Sequence, residues 1–264
     1  MTPTLLNTRP EGQTQALSQA LAAAGLGSVD CPVIAIEALR LPDRAVETLA
    51  RADKLVFVSR NAVQQLAQAW QTLTGRALTP AQDMKPGAQC FAIGEATQQA
   101  LLAQGWPTAD LAHDDFVSEA LLARTDWQDL RGQTVLLIKG EGGRRALIDG
   151  LSAAGAEVEP WPLYRRVLPD YTRQQWQTVW QAWAESDCPV VLISSWQGFE
   201  HLQALVDRFG HRNDQAWLFQ QPAMVFSERI AQGLSEQGWQ GPCRVVRPQS
   251  QAGIIQALKQ WTTE

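Results

Sequence analysis

The stretch Thr4–Gly25 reads TLLNTRPEGQTQALSQALAAAG, and Thr134–Gly155 reads TVLLIKGEGGRRALIDGLSAAG. The two align without a gap at an offset of 130 residues, and 10 of 22 positions are identical. Each opens with an apolar run, passes through a polar Gly-bearing turn, and continues with apolar residues at helical spacing. Leu17, Leu21 and Ala24 mark the helix in the first copy; Ala146, Leu147, Leu151 and Ala154 mark it in the second. That order is strand, turn, helix.

The likeness continues outward. Pro32 matches Pro162, KLVFVSRNAVQQL pairs loosely with VVLISSWQGFEHL, and Ala92–Trp106 matches Val225–Trp239 at 6 of 15 positions, offset 133. The chain is therefore one unit written twice. Strand runs at Thr4–Thr8, Lys54–Ser59, Cys90–Gly94, Thr134–Lys139, Pro189–Ser194, Ala223–Ser227 and Cys243–Pro248 alternate with helical patterns. Such alternation predicts an α/β fold with parallel sheets covered by helices on both faces. Pro32–Leu39 and Pro162–Pro169 look extended but are too polar and too proline-flanked for central strands, so they read as connections. Two partitions fit the duplication. One cuts near residue 130; the other gives the first copy's opening strand and helix to the second copy's later parts.

Length and composition bound the function. The 264 residues suit one large domain or two ordinary ones, and 45% hydrophobic residues can fill a core. A formal charge of -5 argues against a general nucleic-acid binder. The N-terminus carries no leader pattern and no segment has the ~20 apolar residues of a membrane helix, so a cytoplasmic protein is expected. Cys31, Cys90, Cys188 and Cys243 form no C-x-x-C pair, and no Cys/His cluster has zinc spacing. They read as reduced, mostly buried thiols, and no metal site is expected.

In open parallel sheets, ligands bind beyond the carboxyl ends of the strands, where helix N-termini offer unpaired N–H groups and partial positive charge. Small and polar residues crowd those junctions here. They include Arg9; Ser59, Asn61 and Ala62; Gly94, Glu95 and Ala96; Lys139, Gly140, Gly142, Gly143 and Arg144; Ser194 and Ser195; and Ser227 and Arg229. Each also has a plain structural reading: Ser59, Ser194 and Ser227 as helix N-caps, the glycines as a turn, Arg9 and Lys139 as solvated charges. Six junctions of one chemistry nonetheless suggest an amide-rich pocket for a flexible poly-carboxylate. His113, His201 and His211 lie away from the junctions, Asp114–Asp115 reads as the start of a helix over Val117–Leu122, and no G-x-S-x-G elbow is present. The eleven tryptophans read as packing residues. The reaction must ask little of acid–base or nucleophilic groups.

A series of motifs resembles the uroporphyrinogen-III synthase family: TRPEGQ at Thr8–Gln13, VSRNAV at Val58–Val63, AIGEAT at Ala92–Thr97, KGEGGR at Lys139–Arg144, GAEVEPWPLYRR at Gly155–Arg166 and FSERIAQGLSEQGW at Phe226–Trp239. The resemblance implies two flavodoxin-like α/β domains joined by a two-stranded connector. One domain would hold residues 1–36 and 168–264 and the other residues 38–165, with connector strands at about 32–39 and 162–169. It also implies a cofactor-free, monomeric enzyme acting on hydroxymethylbilane, with at most a transient contact to the preceding pathway enzyme. On the second connector the family implicates a tyrosine, and Tyr164 stands at the matching place as the catalytic candidate. Many members carry a threonine where this chain has Ser227-Glu228-Arg229-Ile230, so a hydroxyl role there falls to Ser227. The competing reading is a non-enzymatic two-domain binder of an anionic small ligand.

Overall fold

The computed structural model describes residues 2–108, 118–143 and 145–262. The chain divides into two compact units, Met1–Ala35 with Val167–Glu264, and Ile36–Arg166. The first unit opens with β1 (Pro3–Asn7), α1 (Thr14–Ala23) and β2 (Gly27–Asp30). The second contains β3 (Ala35–Ala38), α2 (Ala45–Arg51), β4 (Lys54–Phe57), α3 (Arg60–Thr74), α4 (Pro80–Asp83), β5 (Gln89–Ala92), α5 (Glu95–Ala103), α6 (Ser118–Ala123), β6 (Thr134–Gly140), α7 (Ala146–Ala153) and β7 (Glu157–Val167). The first unit resumes with α8 (Arg173–Ala184), β8 (Cys188–Ile193), α9 (Trp196–Phe209), α10 (Asp214–Leu218), β9 (Ala223–Val225), α11 (Glu228–Glu236), β10 (Cys243–Val245) and α12 (Gln251–Lys259).

Each unit holds one five-stranded sheet, ordered β10-β9-β8-β1-β2 in the first and β3-β7-β6-β4-β5 in the second. The central pair of each sheet takes one strand from each sequence copy. Leu5 and Leu6 of β1 lie opposite Val190 and Val191 of β8, and Leu55 and Val56 of β4 lie opposite Leu136 and Leu137 of β6, both parallel. Alternating side chains leave each sheet by opposite faces. In the first unit Leu6, Val191 and Val225 pack with Trp176, Trp183, Phe199, Leu202 and Leu234. On the other face Leu5, Val190, Leu192 and Met224 pack with Leu17, Leu21, Ile254 and Leu258. In the second unit Leu55, Phe57, Leu136 and Ile138 meet Leu49, Val63, Leu66 and Trp70. Val56, Phe91, Val135 and Leu137 meet Leu121, Trp127, Leu147 and Leu151. Both faces are dry, which is why these strands read as continuous apolar runs.

Three strands lacked that signature. β2 (GSVD) is short and only half-buried, with Val29 its one large apolar side chain. β3 is a short edge strand. β7 corrects the reading of Pro162–Pro169 as a mere connection, because residues 157–167 form one strand inside the sheet. Glu157 donates its N–H to Gln133 O across the β6 side. Ahead of the register shift, odd-numbered residues of β7 therefore bond toward β6, and Pro160 and Pro162 turn their donor-less nitrogens away from it, so the β6 ladder loses no bond. All four cysteines are free thiols. Asp114–Asp115 and His113 lie outside the described residues. Among the described residues, no helix is long and apolar enough to cross a membrane.

Candidate active site

The carboxyl ends of the second unit's strands bring four of the expected residues into contact. β4 ends at Phe57, and Ser59, in extended conformation, caps α3 by accepting the Ala62 N–H at 3.1 Å. The cap satisfies that third donor and leaves the N–H groups of Arg60 and Asn61 with no intrahelical acceptor. The Ser59 Oγ also lies 2.8 Å from the Tyr164 hydroxyl. Tyr164 sits in β7 opposite Gly140, just past a register shift between Lys139 and Gly140 of β6. Its ring covers Gly140 so closely that a Cβ there would stand 2.8 Å from ring carbons, and its carbonyl accepts the Glu141 N–H at 2.7 Å. Gly140 is therefore the seat of the tyrosine ring and the last residue of a strand, rather than part of a loose turn. Tyr164 is only 3% exposed.

The other junctions of this unit are plainer. Gly94, at φ +91°, turns the chain into α5 ahead of Glu95 and Ala96, while Thr97 donates its hydroxyl to Ile93 O at 2.7 Å. The Glu95 carboxylate is exposed in that first turn, so only the amides of the junction suit an anion. Gly142 and Gly143 hold positive φ in an exposed loop. Arg144 lies outside the described residues.

At the strand tips of the first unit, Arg9 donates to the Gln13 side chain at 2.7 Å, and Thr8 ties β1 to β8 through Leu192 O. The cap of α9 is Ser195, accepting Gly198 N–H at 3.1 Å, which corrects the expectation that Ser194 would fill that place. β8 ends at Ile193 and the helix begins at Trp196, so the cap falls one residue later than the apolar run suggests. Ser194 stays half-buried with no side-chain hydrogen bond among the described residues. Ser227 caps α11 by accepting Ile230 N–H at 3.3 Å, which places Arg229 exposed in the first turn.

Charge at these tips is left open. Among the described residues, Arg60, Lys139 and Arg229 make no ion pair, whereas Glu228 is held by Arg247 at 3.0 Å. Sequence reasoning placed Thr8 and Arg60 in the junctions without choosing them as site residues, and it passed over Trp196 and Ser250, which caps α12. All four lie at or near strand–helix junctions, where position rather than residue type was the available signal. The second tyrosine is otherwise engaged: Tyr171 donates to Pro32 O at 3.2 Å, and burial pushes its pKa up. His201 contacts Val33 O through Nδ1 at 2.6 Å, and the His211 N–H donates to the Asp214 carboxylate.

A sequence model of the family described as uroporphyrinogen-III synthase HemD matches residues 15–251. The chain belongs to the uroporphyrinogen-III synthase family. The synthase of Salmonella typhimurium is 30% identical over 240 residues, covering 89% of this chain and 92% of that one. That of Escherichia coli is 31% identical over 150 residues, covering 57% of this chain and 58% of that one. The fold matches a solved mutant uroporphyrinogen III synthase of Thermus thermophilus with TM-score 0.60 at 20% identity over all of both chains. It also matches the Helicobacter pylori synthetase, TM-score 0.60 at 16% identity over 98% of this chain and 99% of that one. As a uroporphyrinogen-III synthase, the chain is a cyclising lyase of tetrapyrrole and heme biosynthesis whose substrate is hydroxymethylbilane.

Proposed function

We propose that Tyr164 assists departure of the hydroxyl from the terminal carbon of hydroxymethylbilane, while the strand-tip junctions hold the substrate's carboxylates. One contact carries this reading, the 2.8 Å approach of Ser59 Oγ and Tyr164 Oη. Ser59 Oγ already accepts the Ala62 N–H. In the arrangement proposed, Ser59 gives its own proton to Tyr164 Oη, and the phenol proton is left for the leaving group. Such a chain of donors starts at the positive end of α3, and each link polarises the next. A phenol of reference pKa near 10 is protonated at neutral pH and serves as a donor.

Loss of water gives an azafulvene. Its carbon is attacked by the substituted carbon of ring D to form a spiro intermediate, and fragmentation with reclosure inverts that ring. The pyrroles supply the electrons, so the protein's larger task is to hold the reacting carbons together. Within each unit the open N–H groups at the helix starts, those of α3 and α5 in one and of α9 and α11 in the other, suit carboxylates, with Arg60 and Lys139 at the tips of the one and Arg229 at those of the other.

The test is Tyr164→Phe, which keeps the ring on Gly140 and removes only the hydroxyl. General acid help is worth about 10²–10⁴-fold, and a substrate this reactive takes the low end or somewhat below it. We expect kcat to fall at least about tenfold with type III product retained. A Tyr164→Phe enzyme of full activity would reduce Tyr164 to a packing residue.

A further inference from the structure

The first unit carries a groove of about 420 Å³ between the start of α9 and the length of α11. Trp196 forms one wall. It is the first residue of α9, directly after the Ser195 cap, and it is half-buried. Its ring lies on Gly233 of α11, where a Cβ would stand 2.5 Å from a ring carbon, and it packs against Phe199 at 5.2 Å between centroids. Helix α11 thus gives up a side chain to seat the indole, while the groove keeps the ring within reach of a ligand. Arg229 lines the same groove in the first turn of α11, exposed and, among the described residues, without an ion pair. Glu236 closes the far end, its carboxylate accepting from Gln232 at 2.9 Å. The helix rises roughly 10 Å between Arg229 and Glu236.

We infer that Trp196 and Arg229 form a specificity subsite for one carboxylate-bearing pyrrole of the substrate, the ring stacked on the indole and the carboxylate paired with the guanidinium. An electron-rich planar ring suits the indole face, and a carboxylate suits the planar fork of arginine. The volume falls within the range of small-ligand pockets, and two residues of its lining, Trp196 and Arg229, sit in the first turns of α9 and α11, just after the caps Ser195 and Ser227. The subsite rests on the reading that hydroxymethylbilane is held at these tips.

The experiment measures kcat and KM of the full chain for hydroxymethylbilane, with product isomer recorded. Trp196→Ala should raise KM about three- to tenfold, the size of an aromatic stacking contact, with kcat changed less than about twofold. Trp196→Phe should recover part of that loss. Arg229→Gln, on an exposed side chain that folding does not need, should raise KM similarly, and Arg229→Lys should recover part of it. The double variant Trp196→Ala/Arg229→Gln should lose less than the product of the two single effects, because one pyrrole unit touches both. Unchanged KM in Arg229→Gln and Trp196→Phe, with wild type still making type III product, overturns the subsite and leaves the strand-tip reading standing. A wild-type protein that makes no type III product overturns the reading underneath it.

Discussion

At the scale of single residues, the Ser59–Tyr164 pair depends on a glycine. The ring of Tyr164 occupies the space a Cβ at Gly140 would need, 2.8 Å away. Gly140→Ala must therefore push the phenol off Ser59 or shift β6. We expect it to lower kcat at least as far as Tyr164→Phe does, and a variant with wild-type kcat would show that the ring position does not matter. Asp83 gives a stability prediction in the same unit. It is 7% exposed and accepts from Arg76 Nη1 at 2.8 Å and from Thr79 N at 2.7 Å. The Arg76 guanidinium holds its carboxyl below the usual range despite burial. A depressed carboxyl pKa stabilises the fold at pH values above the unfolded-state pKa, near 3.9, and that contribution is lost as pH falls through the folded-state value. Asp83→Asn should cost about 1–3 kcal/mol at neutral pH, and the deficit relative to wild type should shrink in acid melts. A deficit that is the same at both pH values would assign Asp83 a purely steric role.

At the scale of elements, the caps separate two serines that the sequence could not tell apart. Ser195→Ala should lower stability by about 1 kcal/mol through loss of the α9 cap, while Ser194→Ala should leave the melt unchanged. The reverse order in a melting comparison would put the cap back on Ser194. The strands that were legible were those buried on both faces, such as LVF in β4 and VLLI in β6, because an unbroken apolar run has one explanation in a parallel sheet. GSVD of β2 was illegible because it is short and half-buried, with one large apolar side chain to mark it. β7 was misread because its prolines argue against a ladder, and only the register shows that they face away from β6. The candidate site divides the same way. Junction glycines and serines stood out by type, whereas the contact of Tyr164 with Ser59 joins positions 105 apart and has no local signature. Trp196 was hidden among eleven tryptophans, most of which do pack in the cores.

At the scale of the whole molecule, duplication and fold are out of step. Residues 36–166 supply the strands of their sheet, while the other sheet has β1 from the N-terminus inside it, between β8 and β2. A fragment of residues 36–166 should therefore fold alone with a cooperative melt, and a fragment of residues 167–264 should not, because it lacks the strand that covers β8. Cooperative unfolding of the second fragment by circular dichroism would contradict the assignment of β1 as its core strand. On the proposed reading, the chain steers hydroxymethylbilane by shape and one hydroxyl pair, the electrons coming from the substrate. The most direct test is to mix purified protein with hydroxymethylbilane in the presence of a chelator and without nucleotide, and to separate the oxidised products by isomer. The type III isomer is the expected product; recovery of the type I isomer alone, which forms without an enzyme, would contradict that steering.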